Sequence, residues 1–224
     1  MNIRKTLGPM IAIAATAVLA PLVANAQEPA NPSWNGFYAG INLGGIWSNT
    51  SAAIGENNTG GGFSGMGGGF QGGIQGGYNW LLGPVMVGGE IDFQGSTLTS
   101  GLTGGAGPSA IGASYSMPWY STFRARVGYP MGPFMPYVTG GAVWGQQNLS
   151  GTDSVGGSFS ASNNFWTYTF GGGVEAQINN KWSAKLEYLR IGTPDTPLST
   201  PATTSISENS TDNIVRVGLN YHFN

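Results

Sequence analysis

From residue 37 onward the chain alternates, with a period of two, between apolar residues and small or polar ones over short stretches. This is the signature of strands whose two faces meet different surroundings. Eight such stretches run over about 37–47, 69–80, 85–94, 115–129, 135–147, 164–178, 182–191 and 212–223. In the first, Phe37, Ala39, Ile41, Leu43 and Trp47 share a face opposite Gly40, Asn42 and Gly44. In the second, Phe70, Ile74, Tyr78 and Trp80 oppose Gln71, Gln75 and Asn79. Two places resist a simple assignment. The fourth strand either begins after Pro118 or holds a bulge there, because proline has no N–H to give to a ladder. On the fifth, either Tyr137, Thr139 and Val143 or Val138, Ala142 and Trp144 face outward.

Alternation alone fits a soluble barrel with an apolar core as well as a membrane barrel with an apolar exterior; the charges decide between them. Glu90 and Asp92 oppose Val85, Val87, Ile91 and Phe93, while Arg124 and Arg126 oppose Phe123, Ala125, Val127 and Tyr129. Glu175, Lys185, Glu187 and Arg216 likewise sit on the polar faces of the sixth, seventh and eighth strands. These four acids and four bases sum to zero. A solvated face imposes no such balance, whereas charges in a narrow interior are unfavourable unless paired. Apart from Arg190, near a strand end, the apolar faces carry no charge. The expected fold is therefore all-β: an eight-stranded antiparallel, up-and-down transmembrane β-barrel with lipid outside and polar groups within.

The connections point the same way. Long segments at about 48–68, 95–114, 148–163 and 192–211 alternate with brief turns at 81–84, 130–134 and 179–181. Transmembrane barrels pair short periplasmic turns with longer extracellular loops. Trp34, Trp47, Trp80, Trp119, Trp144, Trp166 and Trp182 all fall at or near strand ends, as expected for aromatic girdles at the two interfaces.

Composition narrows the class further. The chain is only 8% charged, with 39 glycines and no cysteine among 224 residues, where a soluble domain has about 25% charged residues. No Lys/Arg cluster exists to neutralise phosphates, so nucleic acid is not an expected partner. At the N-terminus, Arg4 and Lys5 precede an apolar run from Met10 to Val23 and then Ala24-Asn25-Ala26. This reads as a signal peptide over 1–26, cleaved to leave a mature barrel over 27–224. Loss of Arg4 and Lys5 leaves six bases against ten acids, a net charge of about −4.

Four segments carry a family resemblance: Trp34-Asn35-Gly36-Phe37-Tyr38-Ala39-Gly40, Arg124-Ala125-Arg126-Val127-Gly128-Tyr129, Pro136-Tyr137-Val138-Thr139-Gly140-Gly141 and Arg216-Val217-Gly218-Leu219-Asn220-Tyr221-His222-Phe223. In this order they resemble the outer-membrane immunogenic proteins, porin-family, small OmpA-like outer-membrane β-barrels of Gram-negative bacteria. The resemblance covers essentially all of 27–224. It implies location in the cell outer membrane, surface antigenicity and a structural or adhesive role. The closing strand, with Val217, Leu219, Tyr221 and Phe223, resembles the signal read by the outer-membrane barrel assembly machinery, although here Asn224 follows the aromatic residue. Haem binding, associated with some relatives, is implied only by resemblance, at the surface loops.

The chemistry present is sparse. An eight-stranded barrel is just wide enough to be filled by its own side chains, while water-filled porins need about 16–18 strands. The balanced charges therefore read as a structural network, with a narrow ion or small-solute channel as the alternative. His222 is the lone histidine and has no serine beside it on its own strand face, so it reads as structural and no enzyme is expected. Gly67, Gly69 and Gly72 match G-x-G-x-x-G only by composition, since a strand follows instead of a helix. The run from Gly60 to Gly77 reads as a loop grading into a strand with a crowded inner face. One histidine, no cysteine and scattered loop acids make no metal site, and no cofactor is expected. The expected function is an envelope and surface-interaction protein, antigen-like or adhesin-like, whose partners are the lipid bilayer, the assembly machinery and a host or surface ligand at the loops. A secreted soluble barrel of the lipocalin type, apolar inside, is the contrasting class.

Overall fold

A computed structural model describes residues 34–55, 61–104, 111–152, 158–192 and 205–223; the signal peptide expected over 1–26 lies outside them. Eight strands follow in chain order: β1 (Gly36–Gly55), β2 (Gly61–Leu82), β3 (Val85–Gly104), β4 (Ile111–Gly128), β5 (Phe134–Thr152), β6 (Ser158–Gln177), β7 (Trp182–Gly192) and β8 (Ser205–His222). Each pairs antiparallel with its neighbours and β8 returns to β1, closing an up-and-down barrel. Following directly paired residues once round from Tyr38 leads through Gly77, Glu90, Arg124, Gly141, Thr169, Ile191 and Asp212 to Ser48, ten residues further along β1. Such an offset tilts the strands by roughly 40° and leaves an interior that side chains fill.

The alternation sorts residues as an inverted barrel requires. Phe37, Ile41, Phe70, Ile74 and Val138 expose 60–78% of their surface, while the eight strand charges expose at most 5%. The lipocalin-type class, with apolar residues inside, is thereby excluded. On β5, Tyr137, Thr139 and Val143 point inward and Val138 and Trp144 outward. In β4 the register shifts between Ser116 and Trp119, and in β3 it shifts opposite, between Gly95 and Leu98. Pro118 thus lies in a bulge within the strand, where no ladder hydrogen bond is asked of it.

The strands are longer than their apolar alternation. β1 to β6 and β8 run 18–22 residues, against the roughly 9–11 that span a bilayer. Most of 48–68, 95–114 and 148–163, expected as loops, is antiparallel ladder, and β8 pairs with β1 from Ser205. There the residues are mostly small or polar, so the ladder continues without apolar alternation to mark it. At the opposite end the connections are tight. Gly83 and Gly132 take φ values of 63° and 60°, open to glycine without strain. Asn179 Oδ1 accepts from Lys181 N and Trp182 N, both at 2.9 Å, holding the turn into β7.

Candidate functional site

The charged residues of β3, β4, β6, β7 and β8 meet in one layer in the half of the lumen nearer the tight turns. Arg124 pairs with Glu90, with Asp92 at 2.8 Å and with Glu187 at 2.9 Å. Arg216 reaches Glu187 at 2.6 Å and Asp92 at 3.0 Å. Lys185 lies 2.9 Å from Glu90, and Arg126 lies 2.6 Å from Glu175 and 3.4 Å from Glu90. All of Glu90, Asp92, Arg124, Arg126, Glu175, Lys185, Glu187 and Arg216 therefore share one network. Its members come from five strands, so each ion pair also ties one part of the wall to another. Desolvation of every ion opposes this arrangement, and only the multiple short contacts offset it.

Two tyrosines complete the layer, and sequence patterning did not single them out. Tyr38 donates to Glu90 Oε2 at 2.7 Å and Tyr137 to Glu187 Oε1 at 2.8 Å. The Arg126 guanidinium sits between their rings, 5.4 Å from the Tyr38 centroid and 4.3 Å from that of Tyr137. The rings fit because glycine faces them. A Cβ on Gly77 would collide with the Tyr38 hydroxyl, and one on Gly173 would stand 3.0 Å from that of Tyr137. The crowded inner face expected of the β2 glycines has this physical cause.

Above the charges the lumen changes character. Ile46, Leu98, Met117, Tyr120, Val143, Phe165, Leu189, Ile191 and Ile214 form one buried apolar cluster, none more than 6% exposed. Below the charges, Trp34, Met86 and Met135 form a second apolar cluster at the mouth beside the tight turns. The polar layer is held between them.

His222 lies at the boundary between the charged layer and this lower cluster. Its Nε2 is 2.9 Å from Ser183 Oγ, supplied by β7, and Ser183 donates to Glu175 Oε1 at 2.5 Å. The serine absent from the histidine's own strand thus arrives from the neighbouring one. The three residues do not form a hydrolytic relay, because serine and carboxylate both lie toward Nε2 while Nδ1 has no hydrogen-bond partner among the described residues. In a relay the acid orients the imidazole from the nitrogen opposite the nucleophile. Trp34 also packs edge-on against the ring, at 6.2 Å, and the imidazole is 1% exposed.

On the exterior, Trp80 and Trp182 join Phe37, Tyr78, Tyr221 and Phe223 in a lower aromatic band. Trp119, Trp144 and Trp166 touch one another higher up, at 5.1 and 6.0 Å between ring centroids. Trp144 stands ten residues beyond Phe134 along β5, which at about 3.3 Å per residue and the roughly 40° tilt is about 25 Å. That is the height of the apolar band of such barrels. Trp47 also faces outward on the upper part of β1. Trp34 departs from the expected girdle: it is 2% exposed inside the mouth and donates from Nε1 to Gly132 O at 3.3 Å. It shares parity with Tyr38, and Gly36 between them has a φ of 121°, so the chain turns it inward. Val217, Leu219 and Phe223 face outward on or just beyond β8 with 37%, 37% and 63% exposure, and Phe223 N donates to Phe37 O at 3.0 Å.

Residues 15–223 match the family described as outer membrane protein beta-barrel domain. The chain belongs to that family. As an outer membrane protein β-barrel it is 34% identical to the 31 kDa outer-membrane immunogenic protein of Brucella melitensis, over 95% of this chain and 93% of that one. It is 33% identical to the 22 kDa outer membrane protein of Rhizobium leguminosarum bv. viciae, over 73% of this chain and 67% of that one. Among solved structures it is similar to Ail, the attachment invasion locus protein of Yersinia pestis, with 12% identity and a TM-score of 0.42 over 84% of this chain and 99% of that one. It is similar also to the outer membrane protease OmpT of Escherichia coli, with 12% identity and a TM-score of 0.49 over 84% and 96%. For a barrel of this family in the outer membrane, the outward apolar column faces lipid and the ion-pair layer faces the barrel axis.

Proposed function

We propose that this outer-membrane barrel is a sealed structural protein that braces the envelope and offers its extracellular wall and loops as an interaction surface. The observation that carries this reading is the layered lumen, in which paired charges lie between an apolar cluster above and another below. A conduit for ions needs a continuous polar path, and the apolar layer across the upper lumen interrupts it. The arrangement of Ser183, His222 and Glu175 supports a structural role over hydrolysis. The outward column Val217, Leu219, Tyr221 and Phe223 serves, in this reading, as the assembly signal. Immunogenic relatives support a surface-antigen role for the loops, and a host or surface ligand would bind there.

Liposome swelling tests the sealed lumen. Vesicles carrying the folded barrel are expected to swell in small sugars no faster than empty vesicles. Swelling that rises with the amount of folded barrel would instead assign the small-solute channel.

A further inference from the structure

Of the six bases left after loss of the signal peptide, four are in the lumen, Lys181 lies in the β6–β7 turn, and only Arg190 stands on the outer face of the wall. Its place in the ladder is specific. Phe170, Arg190, Asn213 and Trp47 are directly paired across β6, β7, β8 and β1. A polar pair thus interrupts an otherwise aromatic row. Arg190 Nη2 approaches Thr211 Oγ1 at 3.5 Å, and Tyr188 donates to Asn213 Oδ1 at 2.7 Å. Asp212, the acid nearest in sequence on β8, points inward and is buried. Among the described residues, no carboxylate pairs with Arg190, so a guanidinium with five N–H donors has one long contact.

The height explains how such a charge is tolerated. Arg190 is eight residues beyond Trp182 along β7, about 20 Å up the wall by the same rise and tilt. This is just below the upper edge of an apolar band about 25 Å tall. A long arginine reaches from there to the headgroups while its stem stays in the apolar zone. At the headgroups it meets phosphate, to which a guanidinium binds in a bidentate, charge-assisted geometry. Thr211, Asn213 and the Tyr188 hydroxyl add neutral polar groups beside it.

We infer that Arg190, with Thr211 and Asn213, forms a site on the β7–β8 face for a phosphate group of an outer-leaflet glycolipid. The inference rests on outer-membrane placement and is independent of whether the lumen is sealed.

The test uses the full barrel in phosphatidylcholine nanodiscs containing a small fraction of either phosphorylated or dephosphorylated lipid A, with lipid copies per barrel counted by native mass spectrometry. Wild type is expected to enrich the phosphorylated form about fivefold over its bulk fraction and the dephosphorylated form not at all. Arg190→Gln should abolish that enrichment and Arg190→Lys should keep part of it. Unchanged heat-modifiability on gels would show that both variants fold. Equal enrichment by wild type and R190Q, or of both lipid forms, would overturn the site. Displacement by excess inorganic phosphate would assign it to free anions and overturn the lipid as its source.

Discussion

The lower and upper halves of the lumen are built on the same strands yet differ in chemistry: ion pairs fill the lower, and packed hydrocarbon, with buried Asp212 and Ser48 beyond it, the upper. On β7 the inward column reads Ser183, Lys185, Glu187 and then Leu189, Ile191; on β8 Arg216 gives way to Ile214 one inward position higher. Within a step of two residues the interior passes from paired charges to packed hydrocarbon. The two halves stabilise the barrel differently. Removing one ion leaves others buried without partners, a severe and partner-dependent loss. Removing apolar atoms leaves a cavity whose effect depends on how well neighbours relax. The charged half ties distant strands through directional contacts, and the apolar half packs hydrocarbon against hydrocarbon.

The largest expected effect is in the charged half. Arg124→Met should destabilise the folded barrel by about 3–5 kcal/mol in urea titrations, because Glu90, Asp92 and Glu187 all lose a partner. A cost no greater than that of Arg190→Met, on the lipid face, would erase the distinction between interior and exterior charge. In the apolar half, Leu189→Ala should cost about 2–5 kcal/mol and admit water above the ion pairs. Double-mutant cycles sharpen the contrast. Arg216→Met with Glu187→Met, which contact at 2.6 Å, should depart from additivity by about 0.5–3 kcal/mol, while Phe165→Ala with Glu175→Gln, in separate layers, should add within about 0.5 kcal/mol. The smallest effect is expected at Ser183→Ala. Loss of its hydrogen bond to Glu175 should cost about 1 kcal/mol, because Arg126 and Asn220 still hold that carboxylate.

Much of this was legible as parity. The charge balance on the inward columns of β3, β4, β6, β7 and β8 is readable from the alternation alone. The upper apolar layer left a signal too. Leu189 and Ile191 share parity with Lys185 and Glu187, Ile214 with Arg216, and Phe165 with Thr167 and Thr169, so apolar residues on an otherwise polar face marked the change of layer. Trp34 shares parity with Tyr38, but proximity to the strand start suggested a girdle position instead.

Other features were not readable in this way. Strand pairing beyond the apolar band rests on backbone hydrogen bonds, which Ser-, Thr- and Gly-rich segments make without an alternation that would extend β1 to β6. The β5 register was ambiguous because its column mixes Gly140, Gly141 and Ala142, too small to mark a face. The meeting of Ser183 with His222 depends on the β7–β8 register, and that of Tyr38 with Tyr137 across Arg126 on how the barrel closes, neither of which a single strand encodes.

Electrical conductance across planar bilayers reports whether the apolar layer seals the lumen. Wild-type barrel of verified fold should give no steady ion current, whereas Leu189→Gly combined with Phe165→Gly should open transient current by thinning the upper layer. Stable unitary currents from wild type, scaling with salt and unaffected by these substitutions, would contradict the account.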